Sequence, residues 1–245
     1  GALKEYGYMC VNLNLGCPSG TVAAKHRGAG FLAVPRELDA FLSEIFEKCP
    51  LDISIKTRIG IKDEAEWEQI LQIYEKYPVA ELIVHTRLQQ DFYKHPARMD
   101  TFGAAGRLSV PLCYNGDIRS AQTYRGLLKA YPGLKRVMIG RGLVANPELT
   151  GQLNGVNRRD SDRLRSFLSD IRDRYITEMS GGERNTLYKL KEIWVHLAGS
   201  FPGAERYVKK IKKANRLTEY EAAVDVLFAD CEYLPGDCPA PFVPR

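Results

Sequence analysis

Val11-Asn12-Leu13-Asn14-Leu15-Gly16-Cys17-Pro18-Ser19 alternates apolar and polar residues and then halts at a glycine, with a thiol and a proline behind it. Period-two alternation over so short a run predicts a strand. Pro18 has no N–H to give to a ladder and biases Cys17 toward extended backbone, so the strand ends here. Cys17 is therefore expected at a strand's carboxyl end, where parallel α/β folds carry their chemistry.

Outward from that stretch the same unit recurs. Residues 52–60, 81–87, 110–115 and 136–140 read as further short strands. Residues 35–48, 63–76, 99–107 and 120–130 read as intervening helices, with another near Pro147. Pro35 suits a first helical turn, Trp67, Ile70, Leu71 and Tyr74 share one helical face, and Ser120 stands at a cap position. Strand and helix alternating at intervals of about 25–40 residues mark βαβ units and a parallel sheet. Each strand ends in residues suited to chemistry: Cys17, Lys56 and Arg58, His85 and Arg87, Asn115 and Asp117, Gly140 and Arg141. Convergence at one end of the sheet predicts an α/β fold of the (β/α)8 TIM barrel type, with a doubly wound sheet as the alternative. Five strands are legible, so the barrel is expected to lack its first strands in this chain, about 90 residues at about 30 per unit.

Beyond residue 153 the pattern changes. Residues 160–179, 185–200, 204–214 and 218–229 read as helices, and Thr218-Glu-Tyr-Glu as a capping box. The expected organisation is a partial barrel over 1–153, a small α-helical domain over 154–233, and a Pro/Gly-rich tail over 234–245.

The 245 residues are 44% hydrophobic and 27% charged, an ordinary globular composition. No apolar run is long enough to span a bilayer and residues 1–15 lack a signal-peptide layout, so a cytoplasmic protein with no membrane contact is expected; a monomer is expected as well. Six cysteines, at 10, 17, 49, 113, 231 and 238, are scattered without a second Cys/His pair. Neither a zinc site nor a disulfide framework is expected, and no metal. The formal charge of +5 is too mild to diagnose a nucleic-acid partner by itself.

Several residues invite chemistry, each with a plainer reading beside it. Cys17 is a packing thiol, a nucleophile with His85 as base, or a general acid, since an ordinary thiol with pKa about 8.5 is protonated at neutral pH. Asn115-Gly116-Asp117 and Gly140-Arg141-Gly142 make tight βα turns or a phosphate site, with glycines admitting an anion to backbone N–H groups and Arg141 adding a charged contact. Lys56 and Arg58 share one face of their strand, opposite Ile53, Ile55 and Ile59. A lysine there wants an anionic partner: either a structural acid or the electron-rich edge of a flavin ring. His85, level with Lys56, is a packing residue or a second polar contact to that ring or its phosphate.

Past residue 157, Arg158, Arg159, Arg163, Arg165, Arg172, Arg174, Lys209, Lys210, Lys212, Lys213 and Arg216 outweigh the acids. They are a solvated face or a surface for phosphate backbones. Lys25-His26-Arg27 beside Cys17 strengthens the RNA reading. Trp194, Tyr188 and Tyr207 read as core.

Asn12-Leu-Asn-Leu-Gly-Cys-Pro, Arg27-Gly-Ala-Gly with Phe31-Leu32, Ile55-Lys-Thr-Arg-Ile-Gly, Val84-His-Thr-Arg, Tyr114-Asn-Gly-Asp-Ile and Met138-Ile-Gly-Arg-Gly together resemble the tRNA-dihydrouridine synthases, in order and at compatible spacing. The resemblance implies an FMN-dependent oxidoreductase acting on tRNA. NADPH (or NADH) would reduce the flavin, hydride would pass from N5 to C6 of a uracil, and Cys17 would protonate C5. Lys56, His85, Asn115, Gly116, Asp117, Gly140 and Arg141 map onto cofactor contacts. Asn14, Arg58, Lys25 and Arg27 map onto the substrate side, and the basic helices onto a tRNA-binding domain. The 91–98 loop departs from the family's usual glycine-containing version. Two alternatives stand beside this reading: an FMN barrel reducing a free pyrimidine, and an RNA-binding fragment without redox activity.

Overall fold

Five strands pair in chain order into one parallel sheet: β1 (Cys10–Leu15), β2 (Asp52–Arg58), β3 (Glu81–His85), β4 (Leu112–Asn115) and β5 (Arg136–Met138). A doubly wound sheet reverses direction partway; this one never does, which is the strand order of a (β/α)8 barrel. The computed structural model describes residues 2–156 and 158–235. The Pro/Gly-rich tail expected over 234–245 lies outside them from residue 236 on.

The crossovers are helical. α1 (Ala2–Glu5) precedes β1, α2 (Gly20–Ala23) and α3 (Pro35–Lys48) follow it, α4 (Glu66–Tyr74) follows β2, and α5 (Ala121–Ala130) follows β4. The glycine-rich stretch after Cys17, read as a loop, instead coils into α2 and a 3-10 turn over Gly28–Ala33. Pro35 stands at the start of α3, and Ser120 Oγ accepts the Thr123 N–H at 3.1 Å, capping α5. Strands two, three and five stop two residues short of their expected ends. The residues left over, Ile59–Gly60, Thr86–Arg87 and Ile139–Gly140, turn into the loops above the sheet.

Alternation sorts the sheet's two faces. Leu15, Ile53, Ile55, Leu82, Val84 and Tyr114 are buried on one side. From α4, the buried Tyr74 donates to Thr57 Oγ1 at 2.9 Å, and the Thr57 hydroxyl in turn donates to Arg58 O at 2.9 Å. Burial pushes the Tyr74 phenol far above its ordinary value, so it stays a neutral donor.

The described residues divide into two compact units. The first holds the chain up to Asp117 together with Leu127–Ile139; the second holds Ile118–Gly126 and the described residues from Gly140 onward. The second contains α6 (Arg141–Ala145), α7 (Leu149–Leu153), α8 (Ser161–Glu178), α9 (Gly182–Leu197), α10 (Glu205–Lys213) and α11 (Leu217–Asp230). Its core closes around Trp194, fully buried, whose Nε1 donates to Tyr220 Oη at 2.9 Å. Leu168, Leu190, Ile211, Val224 and Leu227 pack around it. Tyr207 is in this core as expected, whereas Tyr188 is 64% exposed. The expected Thr218–Glu221 capping box does not form. Glu221 is drawn away by Arg165 and Arg172, both at 2.7 Å, and Glu219 reaches back to the Asn215 N–H at 2.8 Å instead. Among the described residues no helix is long and apolar enough to cross a membrane, and no cluster of three or more potential metal ligands occurs.

Two loops above the sheet are held by different means. Gly28, at φ +54°, returns the chain against Cys17: a Cβ there would lie 2.9 Å from the Cys17 Cβ, while Ala29 N donates to Cys17 O at 2.9 Å. Gly28→Ala is expected to cost about 2–4 kcal/mol through left-handed strain plus overpacking, read by denaturant unfolding. The 88–98 loop is held by Asp91, whose carboxylate accepts the Leu88 N–H at 2.8 Å and pairs with Arg98. Burial alone would raise this carboxyl, but Arg98 and the Leu88 N–H outweigh it and hold it below its ordinary value of 3.8. A depressed carboxyl contributes stability above its unfolded pKa and loses it as pH falls through the folded value. Asp91→Asn should therefore cost about 1.5–3 kcal/mol at neutral pH and progressively less in acid, measured as unfolding free energy against pH.

Candidate active site at the carboxyl ends of the strands

Register builds the site. Asn14 lies opposite Lys56, and Arg58, His85, Asn115 and Met138 form one row across four strands. The face opposite the apolar one is thus polar at its carboxyl end. Asn14 Oδ1 accepts the Gly16 N–H at 3.1 Å, turning the chain out of β1 toward Cys17, which is half-buried. A Cβ on Gly16 would lie 3.6 Å from both Asn14 Oδ1 and Lys56 Nζ, so the amide, the turn and the ammonium meet at one point. Lys56 is half-buried, and among the described residues no carboxylate pairs with it. Burial, followed by repulsion from Arg58, lowers its pKa; Cys113 and Cys17 act in the opposite sense.

Arg58 shares that face but is spent differently. It is fully buried, with Nε donating to Gly16 O at 2.9 Å and Nη1 to Leu88 O at 2.8 Å; Phe92 O lies at 3.5 Å. The guanidinium ties the Cys17 turn to the 88–98 loop.

Arg87 has a similar role just beyond the end of β3. It is 2% exposed, with Nε on His95 O at 2.7 Å, Nη1 3.0 Å from His85 Nε2, and Nη2 paired with Asp117. Asp117 also accepts the Ala97 N–H at 3.0 Å. Asp117 thus links Arg87, which lies against His85, to the backbone of the 88–98 loop. Asn115 Nδ2 donates to Met138 O at 2.9 Å, and Gly116 leaves room for the Tyr114 phenol, whose oxygen would lie 2.2 Å from an added Cβ.

The other expected residues lie as follows. Lys25 and Arg27 are exposed on the segment that returns to Cys17. Gly140 and Arg141 belong to the second unit, where Arg141 opens α6. There His196 is pushed below its ordinary value by burial and then by Arg141 and Arg119, which marks a local concentration of positive charge. The basic run of the second unit also divides. Arg165 and Arg172 are consumed by Glu221, with Asp225 taking Arg165 as well, whereas Lys209, Lys210 and Lys213 are exposed on α10. Sequence reasoning gave no role to the Asp91–Arg98 pair or to Tyr93. Their signal was a loop with an acid and a base at its two ends and two aromatics between.

Comparison with known proteins bears on this arrangement. A family model described as dihydrouridine synthase matches residues 2–231. The tRNA-dihydrouridine synthase B of Pasteurella multocida is 30% identical over 168 residues, 68% of this chain and 50% of the relative. A probable tRNA-dihydrouridine synthase of Staphylococcus epidermidis is 33% identical over 151 residues, 59% of this chain and 46% of the relative. Its Staphylococcus aureus counterpart is 32% identical over the same length. The chain spans about half the length of the curated relatives it matches. With a family model running along nearly all of it, the chain belongs to the dihydrouridine synthase family.

Proposed function

We propose that this chain carries the reducing face of a tRNA-dihydrouridine synthase, acting with FMN and NADPH (or NADH) on a uracil base of tRNA. The observation that carries the reading is Lys56: a half-buried ammonium with no acid paired to it among the described residues, beside Asn14 and Gly16 where the chain exits toward Cys17. A desolvated cation in such a place is stable when it faces an electron-rich group. The edge of a flavin ring answers that need.

Lys56 and His85 would hold the ring, and Asn115 and Gly116 its phosphate side. When bound, FMN supplies the hydride for C6 of the uracil. The chain's own contribution is the proton: Cys17 donates from Sγ to C5, and Asn14 orients the base. Arg58 and Asp117 act as positioning residues, the first through Gly16 O and the second through Arg87. A base must leave its stack to reach such a site, at a cost of a few kcal/mol that is smaller in a loop. Lys25, Arg27 and the exposed lysines of α10 would repay it through phosphate contacts.

Incubated with FMN, the protein should gain a flavin spectrum that NADPH bleaches. Cys17→Ala should keep that bleaching yet lose dihydrouridine formation on an unmodified tRNA transcript by about 10²–10⁴-fold. Product at the parent rate would remove Cys17 as the acid. A protein that binds tRNA but takes up no flavin would support the RNA-binding alternative. Transcript affinity should also fall steeply with salt, and reversing charge at Lys209 and Lys210 should weaken binding and flatten the log–log salt slope by about two. Indifference to both changes would sink the role of α10.

A further inference from the structure

The second unit has a cavity of its own, about 340 Å³ in volume, lined by α7, α8, residues that flank α7 and Tyr233. Small-molecule sites run from about 300 to 1,000 Å³, so this one suits a single compact ligand. Pro147, Val156, Leu164 and Phe167 give it apolar walls. Val156 and Phe167 stay 44% and 47% exposed, and apolar side chains grouped in water around a concavity mark a binding place.

Tyr233 is the unusual group on this lining. It is 3% exposed, and its ring packs on Phe201 with centroids 5.3 Å apart. The next residue, Leu234, donates its N–H to Ser200 O at 2.9 Å, which holds the segment in place. Yet Tyr233 Oη has no hydrogen-bond partner among the described residues. An unpaired buried hydroxyl is a standing cost to a fold, and a bound acceptor removes it. Burial, and then the charge of Glu148, push this phenol up to about 12, so it stays a neutral donor.

Glu148 lines the same cavity with its side chain 17% exposed. Arg163 Nη1 lies 3.7 Å from Glu148 Oε1, too far for a hydrogen bond, and among the described residues nothing donates to this carboxylate. The cavity therefore offers a hydroxyl donor together with a group that only accepts. Guanine is the RNA base whose edge answers both, with two neighbouring N–H groups for the carboxylate and a carbonyl for the hydroxyl. Its flat ring suits the apolar walls, and the exposed Arg158 and Arg163 on the lining suit a phosphate. We propose that this cavity is a binding site for a guanine nucleotide. The proposal goes beyond the tRNA reading above and does not rest on it.

Titration calorimetry of the 245-residue chain with 5′-GMP tests it, with 5′-AMP as control. GMP should bind about tenfold or more tighter than AMP, whose edge offers the carboxylate only one N–H. Tyr233→Phe should weaken GMP about three- to tenfold. Its melting temperature should equal or exceed the parent's, because the hydroxyl it removes is unpaired. Glu148→Gln keeps the shape, loses the charge and should weaken GMP about tenfold or more. No GMP uptake by the parent, equal affinities for GMP and AMP, or an unchanged GMP affinity in either variant would overturn the site. Repeating the titration with excess unmodified tRNA transcript identifies the source of the nucleotide. Uptake lost under transcript assigns the site to a guanosine of RNA, and uptake retained assigns it to the free nucleotide. Each outcome leaves the flavin and dihydrouridine assays as they stand.

Discussion

A guanidinium with no exposed surface needs an acceptor in each direction its N–H groups point, and Arg58 finds them in the carbonyls of Gly16, Leu88 and Phe92. Each is a backbone group that the loops above the sheet would otherwise leave poorly paired. The interaction therefore serves both sides: a buried charge is solvated by protein dipoles, and two loops distant in sequence are fixed to one strand end. Removing it would take a donor from three carbonyls and loosen the turns that Arg58 joins. A lysine could not replace it, since a single nitrogen cannot reach outward in a planar fork.

Lys56, two residues earlier on the same strand and face, is the counterpart. It is desolvated in part, and among the described residues the fold surrounds it with no comparable set of carbonyls and pairs no acid with it. The two cations thus differ in what the fold has given them. The same sorting holds in the helical unit, where Arg165 and Arg172 are bound up with Glu221 while Lys209 and Lys210 face outward.

The sheet was legible because short alternating or apolar runs, glycine stops and helical periodicity are local signals, and all five strands fall where they were read. The strand-end residues Cys17, Lys56, His85 and Asn115 were legible for the same reason. What sequence could not convey was expenditure. Arg58 and Asp117 stand at strand ends, and their charges engage groups that folding brings from 20 or more residues away. The Thr218 capping box failed because Glu221 had a stronger distant claim. Tyr188 fits a helical apolar pattern but falls outside the face that packs on Trp194.

The strand ladders carry a last consequence, for how such a chain can vary. Every pairing joins segments separated by a whole crossover, from Asn14 to Lys56, Lys56 to Ile83, Ile83 to Cys113 and Cys113 to Arg136. Closing a loop of this size is costly once, but lengthening it is not: doubling its length adds only about 0.6 kcal/mol. A one-residue slip in register, by contrast, would turn Lys56 and His85 into the apolar layer. Insertions and deletions can therefore accumulate in the crossovers over evolutionary time, while the spacing within each strand stays locked to the chemistry at its end.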